Sequence, residues 1–284
     1  MALLTIAPPA SEPVTLAQMK QYARVDFTDD DTLWPLLIAA AREWCEVYTQ
    51  RRFVLRTMRL YMDFFPGYVD FKLAGQKVSS PFVSGSNAVL VGIRYAIALP
   101  YPRVRGIAQF LYQDQNGEPQ QMIAATDYIQ DIQSQPARLT PLFGSMWPVA
   151  RVVANAVQVD YVTGYGGNIA VSTTANSTAI SGYVFASGMA GLAISIPNAG
   201  TGGNTPLNTT IASVDSNGNG TLATQASSAV SSVQAYLGDP VPEAVQIAVL
   251  RLATYYYENR NYSPDKQFLD SVKAQLAPYR DLRL

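Results

Sequence analysis

One acidic loop contains the beginning of a calcium-binding motif. The run Asp215–Gly220 (DSNGNG) matches the first half of an EF-hand loop. An EF-hand completes its coordination shell with a bidentate glutamate at loop position twelve, which is Ala226 in this chain. One carboxylate does not offset the dehydration of Ca²⁺, so the run predicts a tight Asn-Gly turn and no metal site.

Two further sets of carboxylates could do chemistry if they converged. Asp29, Asp30 and Asp31 are consecutive, and consecutive side chains on a helix point about 100° apart, so they do not meet at one ion. Their charge is instead favourable at a helix N-terminus. A glycosidase needs two converging carboxylates. The spacing of the chain selects no such pair, although a distant pair such as Asp63 and Asp160 is not excluded by sequence.

The common catalytic side chains are scarce. The chain has 284 residues, no histidine and one cysteine, Cys45. Without histidine there is no Ser–His–Asp or Cys–His nucleophile and no His-bearing metal site. One cysteine forms no intrachain disulfide, no CxxC redox pair and no cysteine-rich zinc cluster. We therefore predict that the protein is not an enzyme and has no cofactor or metal ion.

The charge balance argues against tight binding to nucleic acid. Lys and Arg number 20 against 21 Asp and Glu, and charged residues make up 14% of the chain, against roughly 25% in ordinary domains. Such a chain has no basic footprint for phosphates. The longest apolar runs, such as 33–41, are shorter than the ~20 residues that span a bilayer. No membrane partner is predicted.

The first fifty residues have helical patterns. Thr15, followed by Gln18, forms a capping box for a first helix. Apolar residues then recur at spacings of three and four from Leu33 to Tyr48. This pattern predicts a second helix with Thr28 as its cap and Asp29–Asp31 in its first turn. Both helices lie within residues 15–50.

In the middle of the chain, apolar residues recur at every second position. Alternating runs at 58–62, 107–112 and 156–162 are separated by turn sequences such as Asp114–Gly117. This pattern is typical of antiparallel strands and hairpins. We predict an antiparallel β region over residues 53–166.

Residues 167–238 form a third block. Asp215 is its only charged residue, and Ser, Thr, Asn, Gly and Ala dominate. A disordered Ser/Thr/Gly linker is one interpretation. Regularly spaced β-branched runs favour a compact antiparallel β module instead. The block differs in composition from both of its flanks, which indicates an insertion.

Helical patterns return between residues 242 and 277. One helix has an apolar face from Val245 to Tyr256, and Ser263-Pro264-Asp265 begins another. The predicted fold class is α+β. Two N-terminal and two C-terminal helices form a helical core with an antiparallel β domain between them. The core comprises residues 1–166 and 239–284, and an all-β module is inserted at 167–238.

Two clusters could contact other proteins. The run Arg51, Arg52, Arg56 and Arg59 is interpreted as a solvated or subunit-contact face rather than a phosphate site. The run Tyr255–Tyr257 lies just before Arg260, and Tyr and Arg are enriched at protein interfaces. An interface helix and a buried core helix both remain open for this segment.

Ten segments, taken in order, form a recognisable set: Pro13–Ala17, Arg24–Asp26, Asp29–Asp31, Leu37–Trp44, Phe64–Pro66, Trp147–Pro148, Val157–Tyr161, Thr163–Gly166, Val241–Val245 and Tyr257–Arg260. The ordered set resembles the head–tail connector (adaptor) proteins of tailed phages. In that family Gly166 and Val241 would be nearly adjacent, so residues 167–238 depart from its pattern. This departure agrees with the insertion inferred from composition.

The resemblance implies a role in assembly. Members of the family form a ring of about twelve subunits, a closed cyclic arrangement, beneath the portal of a DNA-filled capsid. The ring extends the DNA channel and offers a surface to the next tail or neck component. The resemblance also implies that the protein belongs to the virion neck and is assembled in the cytoplasm of the host bacterium. DNA would pass through without sequence-specific binding, which suits a nearly neutral chain.

The resemblance also implies contact residues. The C-terminal helix and tail reach the portal in the family; here the residues are Phe268, Leu276, Tyr279, Arg280, Leu282, Arg283 and Leu284. For the contacts between subunits, the charged and aromatic candidates are Asp29, Asp30, Asp31, Arg51, Arg52, Tyr256 and Arg260.

A second hypothesis assigns function to the inserted block. The protein would then be a phage tail or capsid decoration protein whose β module recognises a glycan or a tail fibre. The aromatic candidates for this recognition are Tyr183, Phe185 and Tyr236. The two hypotheses are compatible.

Overall fold

The computed structural model describes residues 2–66, 95–260 and 264–281. Predictions for residues 67–94 of the β region, for Ser263, and for Leu282, Arg283 and Leu284 lie outside the described residues. The helices are α1 (Leu16–Ala23), α2 (Trp34–Thr49), α3 (Glu243–Glu258) and α4 (Lys266–Leu276).

Fourteen strands accompany these helices in the described part of the chain. They are β1 (Ala2–Ala7), β2 (Arg56–Met62), β3 (Ile97–Ala98), β4 (Val104–Gln113), β5 (Pro119–Gln121), β6 (Tyr128–Asp131), β7 (Arg138–Pro141), β8 (Val157–Thr163), β9 (Gly166–Thr173), β10 (Ser177–Ser181), β11 (Ala193–Ile196), β12 (Leu207–Val214), β13 (Gly220–Ala226) and β14 (Val230–Gly238). The predicted mixed α+β class is confirmed.

Capping sets the start of α1 and proline sets the start of α2. The Thr15 side chain accepts the backbone N–H of Gln18, as the capping box predicts. Helix α2, in contrast, begins at Trp34 and has no side-chain cap, so the predicted cap at Thr28 is wrong. Pro35 lacks an N–H and is tolerated only in the first turn of a helix. The aspartates of 29–31 therefore lie in the turn before α2, not in its first turn.

The helices pack around one apolar cluster. Helix α2 contributes Trp34, Ile38, Ala41 and Cys45, all fully or almost fully buried. The facing side chains come from α3 and α4: Val245, Ala248, Val249, Leu252, Ala253, Val272 and Leu276. In the described residues no helix is both long and apolar enough to cross a lipid bilayer.

An antiparallel five-stranded sheet has the order β1-β2-β8-β4-β5. Four of its strands lie between α2 and α3 in the sequence, and β1 precedes α1. Its inner face packs Leu60, Phe110, Val159 and Tyr161 into a second apolar cluster. The small sheet β3-β7-β6 contributes Leu139 and other side chains to the same cluster. On the outer face of the sheet, which is the face away from this cluster, Val162 is buried against the barrel, whereas Leu4 is 53% exposed.

Residues of the 167–238 block form most of a closed six-stranded barrel in the order β10-β13-β12-β11-β14-β9. The block is thus folded β structure and not a linker. Gly166 pairs with Gly238, and the N–H of Asp239 donates to Tyr165 O at 3.1 Å. The chain therefore enters and leaves the barrel at a single point.

The barrel is also docked on the five-stranded sheet. Ser187 Oγ donates to Ala108 O of β4 at 2.5 Å. A Cβ on Gly106 would lie 2.4 Å from Gly188 O, so this close approach of two backbones requires glycine. Leu55 and Val162 from outside the block belong to the apolar cluster of the barrel. Docking and continuity together hold the barrel against the sheet.

Candidate functional site

The carboxylates considered for catalysis do not converge. Both carboxylate oxygens of Asp160 accept from Arg59, at 2.7 Å each. Asp63 accepts the N–H of Asn155 at 2.9 Å. Arg59 is opposite Asp160 in the β2–β8 ladder, so Asp63 lies four residues, or about 13 Å, further along. Glycosidase carboxylates are about 5–9.5 Å apart. This pair is therefore structural.

The DSNGNG run forms the predicted turn, between β12 and β13. The Asp215 carboxylate accepts the N–H groups of Asn217 and Asn219 and the side-chain amide of Asn219. The side-chain and backbone hydrogen bonds from Asn219 lower the pKa of Asp215. Among the described residues there is no group of three or more potential ligands that could hold a metal ion.

The aspartates before α2 connect the helices to one another. Asp30 accepts the hydroxyl of Tyr257 at 2.6 Å and pairs with Arg260 at 3.1 Å. Asp31 pairs with Lys20 of α1 at 2.7 Å. The Tyr257 ring also stacks on Trp34, with 4.1 Å between ring centroids. This turn therefore links the start of α2 to α1 and to the end of α3, while Asp29 is exposed.

The basic run is mostly paired inside the chain. Glu46, which is fully buried, accepts from Arg42, Arg52 and Arg56 at 2.7–3.2 Å and from the Phe53 N–H at 3.0 Å. Burial lowers the pKa of Arg56. The interpretation of the run as a solvated face is thus wrong for Arg52 and Arg56, because tertiary folding brings them onto one buried carboxylate.

The remaining basic and tyrosine candidates are divided between surface and core. Arg51 donates to Gln135 at 2.8 Å in an exposed position. The Arg52 guanidinium also lies 3.9 Å from the centroid of the Tyr101 ring. Tyr256 packs against the helical cluster, and burial raises its pKa. The interface role assigned to these residues stays a prediction.

The C-terminal segment folds back on α2. Leu276 is fully buried, and the ring centroids of Phe268 and Tyr255 are 4.6 Å apart. The Arg280 guanidinium lies over Tyr48 of α2, and the Asp281 N–H donates to Thr49 O at 2.9 Å. Tyr279 packs partly on the helical cluster. Leu276 is thus a core residue in this conformation, and the portal role of the whole segment stays a prediction.

The loop between β7 and β8 exposes an apolar surface that the sequence patterns did not single out. Trp147 anchors it: its indole N–H donates to Tyr95 O at 2.6 Å and its ring stacks on Phe65. Beside this anchor, Phe143 is fully exposed and Met146 is 79% exposed. The sequence does contain a sign of this surface: residues 141–153 are mostly apolar and do not alternate with polar residues. Exposed apolar clusters mark interaction surfaces.

A shallow groove of about 390 Å³ lies on the barrel. Its lining has no charged side chain: Ala193, Ile194, Ser195, Asn208, Thr209, Thr210, Tyr236 and Gly238. Phe185, in contrast, is buried in the barrel core, and Tyr183 packs beside it. Of the three aromatic candidates for glycan binding, Tyr236 lines this groove.

Two arginine–carboxylate contacts secure the base of the barrel. Asp239 follows β14 and pairs with Arg103 and Arg105. Arg105 also donates to the carbonyls of Gly164 and Tyr165 at 2.8 and 2.7 Å. Burial alone would raise the pKa of Asp239, but the hydrogen bonds and charges of the two arginines lower it.

Comparison with known proteins gives similarity at the level of fold. No family model matches the chain, and no curated protein matches it. Chains of solved structures, however, do match it. A chain in the "Virion of native gene transfer agent (GTA) particle" matches with a TM-score of 0.54 and 16% identity, over 100% of this chain and 97% of that one. The fold is shared from end to end.

Two neck structures give the same result. The chain matches a chain of the "Neck of empty GTA particle computed with C6 symmetry" at 15% identity and TM-score 0.54. It matches the "Neck of native GTA particle computed with C12 symmetry" at 14% identity and TM-score 0.52. Both matches cover 100% of this chain and 97% of the other. The matched span therefore includes the residues of the barrel.

Proposed function

We propose that this protein is a structural neck component of a phage-like particle. Its specific role is that of an adaptor ring that joins the portal to the tail and extends the DNA channel. The observation that carries the proposal is the whole-chain fold similarity to chains in gene transfer agent particles and necks. The nearly neutral chain, with 20 basic and 21 acidic residues, suits a conduit that does not retain DNA.

The proposed ring has about twelve copies, which is consistent with the C12 and C6 symmetries named for the similar structures. It would sit in the virion neck after assembly in the host bacterial cytoplasm. Its partners are the portal on one side and the next tail or neck component on the other. No catalytic step, cofactor or membrane enters this role.

We assign portal contact to the C-terminal segment. Leu276 and Phe268 anchor the segment in the helical layer, and Tyr279, Arg280, Leu282, Arg283 and Leu284 would make the contact. Contacts between subunits would involve the turn at 29–31 and the region of Arg51, Arg52, Tyr256 and Arg260. The exposed side chains of these sets, Asp29 among them, are the first to test.

The test is assembly. The chain is mixed with portal rings from the same particle, and sedimentation and electron microscopy are used to look for added ring density. We expect co-sedimentation, and we expect virions without the protein to accumulate unjoined heads and tails. The proposal fails if the chain never binds portal or tail components and virions that lack it still join heads to tails.

A truncation after Pro278 separates portal binding from ring formation. We expect the truncated chain to lose co-sedimentation with the portal and to retain its fold, since Leu276 and Val272 remain in the core. Unchanged portal binding would contradict the assignment of the C-terminal segment.

A second candidate function rests on the barrel groove. Uncharged hydroxyl and amide groups beside the Tyr236 ring are chemistry suited to a neutral glycan, on a host surface or a tail fibre. A glycan array with the full chain tests this. Binding that Tyr236→Ala removes and Tyr183→Ala retains would support it, and an array with no binder would rule it out.

A further inference from the structure

One row of side chains crosses the outer face of the five-stranded sheet. Leu4 is opposite Arg59, Arg59 is opposite Asp160, and Asp160 is opposite Gln109. Directly opposed residues of an antiparallel pair lie on the same face. The middle of the row is the Arg59–Asp160 ion pair. Leu4 is 53% exposed at the β1 end of the row.

The same row ends in a second exposed aliphatic side chain. The Met122 N–H donates to Phe110 O just after β5, and Met122 is buried in the inner cluster. The β4–β5 register, continued two residues past the end of β5, places Ile123 opposite Gln109 on the outer face. Ile123 is 56% exposed. Apolar side chains are thus exposed at both lateral ends of one row whose centre is an ion pair.

The β1 edge lacks the usual protections against further pairing. Among the described strands, β1 has one neighbour, β2, and its other edge is open. Its sequence ALLTIA contains no charge and no proline, which are the common devices that block an edge. Ile6, after a register shift, is 39% exposed. An open apolar edge of this kind is a docking site.

We propose that the β1 edge of one copy contacts the β5 edge of a second copy, so that the five-stranded sheets continue from subunit to subunit. Leu4 of one copy would pack beside Ile123 of the next. Pro119 begins β5 and removes one backbone donor from that edge. The contact therefore depends on these side chains at least as much as on strand pairing.

The positions of the two edges favour a second copy of this chain as the binding partner. The two edges are the opposite ends of one sheet, so joining them is a head-to-tail contact, the type that closes into a ring. Pairing of β1 with β1 would instead stop at a dimer. The inference rests on the proposed ring function and adds a sheet-edge contact to the subunit contacts proposed above.

A charge-swap series on the untagged chain tests the contact. Leu4→Lys and Ile123→Glu each place a charge in a proposed apolar contact, and we expect each to raise the concentration needed for ring assembly by about tenfold or more. In the combined L4K/I123E variant the new charges attract across the contact, so rings should return. Val184→Lys, at a barrel position 77% exposed, is the matched control and should assemble normally.

Ring assembly is measured by mass photometry and electron microscopy, with and without portal rings. Melting temperatures of the variants show that each chain is folded. Single variants that assemble as the wild type does, or a combined variant that stays monomeric, would overturn the β1–β5 contact. If the wild-type chain itself forms no ring, even with the portal, the ring function fails instead.

Discussion

At the scale of single residues, the buried charged side chains in the described part of the chain all form ion pairs: Arg42, Glu46, Arg56 and Asp160. Glu46 is fully buried and receives three arginines and one backbone N–H. It joins α2 to β2, because Arg56 begins that strand. A buried carboxylate with this many donors acts as a fixed anchor, and loss of its charge leaves buried cations without compensation.

We therefore predict that Glu46→Gln lowers the free energy of unfolding by about 3–5 kcal/mol, the cost of breaking a buried ion pair. Urea unfolding followed by tryptophan fluorescence measures the change. Glu43→Gln, whose side chain is 70% exposed on the same helix, should change it by less than about 0.5 kcal/mol. Equal effects of the two substitutions would show that the buried cluster is unimportant.

At the scale of elements, the junction between barrel and sheet depends on Asp239. This residue follows β14 and pairs with Arg103 and Arg105 of β4 and the loop before it. The arginines hold its pKa below the ordinary value of 3.8. A carboxylate with a lowered pKa in the folded state stabilises the protein above its unfolded pKa, and this contribution disappears as the pH falls through the folded value.

We predict that Asp239→Asn lowers the melting temperature at pH 7, and that its difference from wild type shrinks as the pH falls below about 4. Calorimetry across pH 2–7, about the range in which aspartate titrates, measures both. Asp215→Asn is the comparison, because the Asp215 bonds stay within its own turn. Asp215→Asn should leave the contacts between the barrel and the five-stranded sheet unchanged. A pH-independent difference for Asp239→Asn would contradict the prediction.

At the scale of the whole molecule, the barrel is joined to the rest of the chain at one point and docked at another. Tyr165 and Asp239 are hydrogen-bonded neighbours, so removal of the barrel leaves two ends that a short linker can rejoin. Leu55 and Val162 pack into the barrel and would be uncovered. The division into a core of 1–166 and 239–284 and a module of 167–238 thus stays a prediction that deletion can test.

We predict that a chain with residues 168–238 replaced by a short Gly/Ser linker is soluble and folded but less stable. The loss should be about 1.5–3 kcal/mol for each uncovered aliphatic side chain. Circular dichroism and size-exclusion chromatography measure the outcome. Val162→Thr in the shortened chain should improve its solubility. Aggregation of both shortened chains would mean that the barrel is integral to the core.

The local parts of this fold could be read from the sequence because their causes are local. The Thr15 cap with Gln18, the period-two runs that became β2, β4 and β8, and the Asp215 turn all depend on residues a few positions apart. The predicted start of α2 was wrong because Pro35 has more influence on that boundary than the candidate cap at Thr28.

By itself, the sequence determined the fold class and excluded histidine and disulfide chemistry, since composition and periodicity need no knowledge of distant contacts. Only the tertiary structure decided which charges are paired and which surfaces are free. Arg59 and Asp160 are 101 residues apart in the chain, and Leu4 and Ile123 share a row only because four strand registers align them. Register is set by burial of the inner sheet face, so the proposed assembly surface could not be read from local pattern.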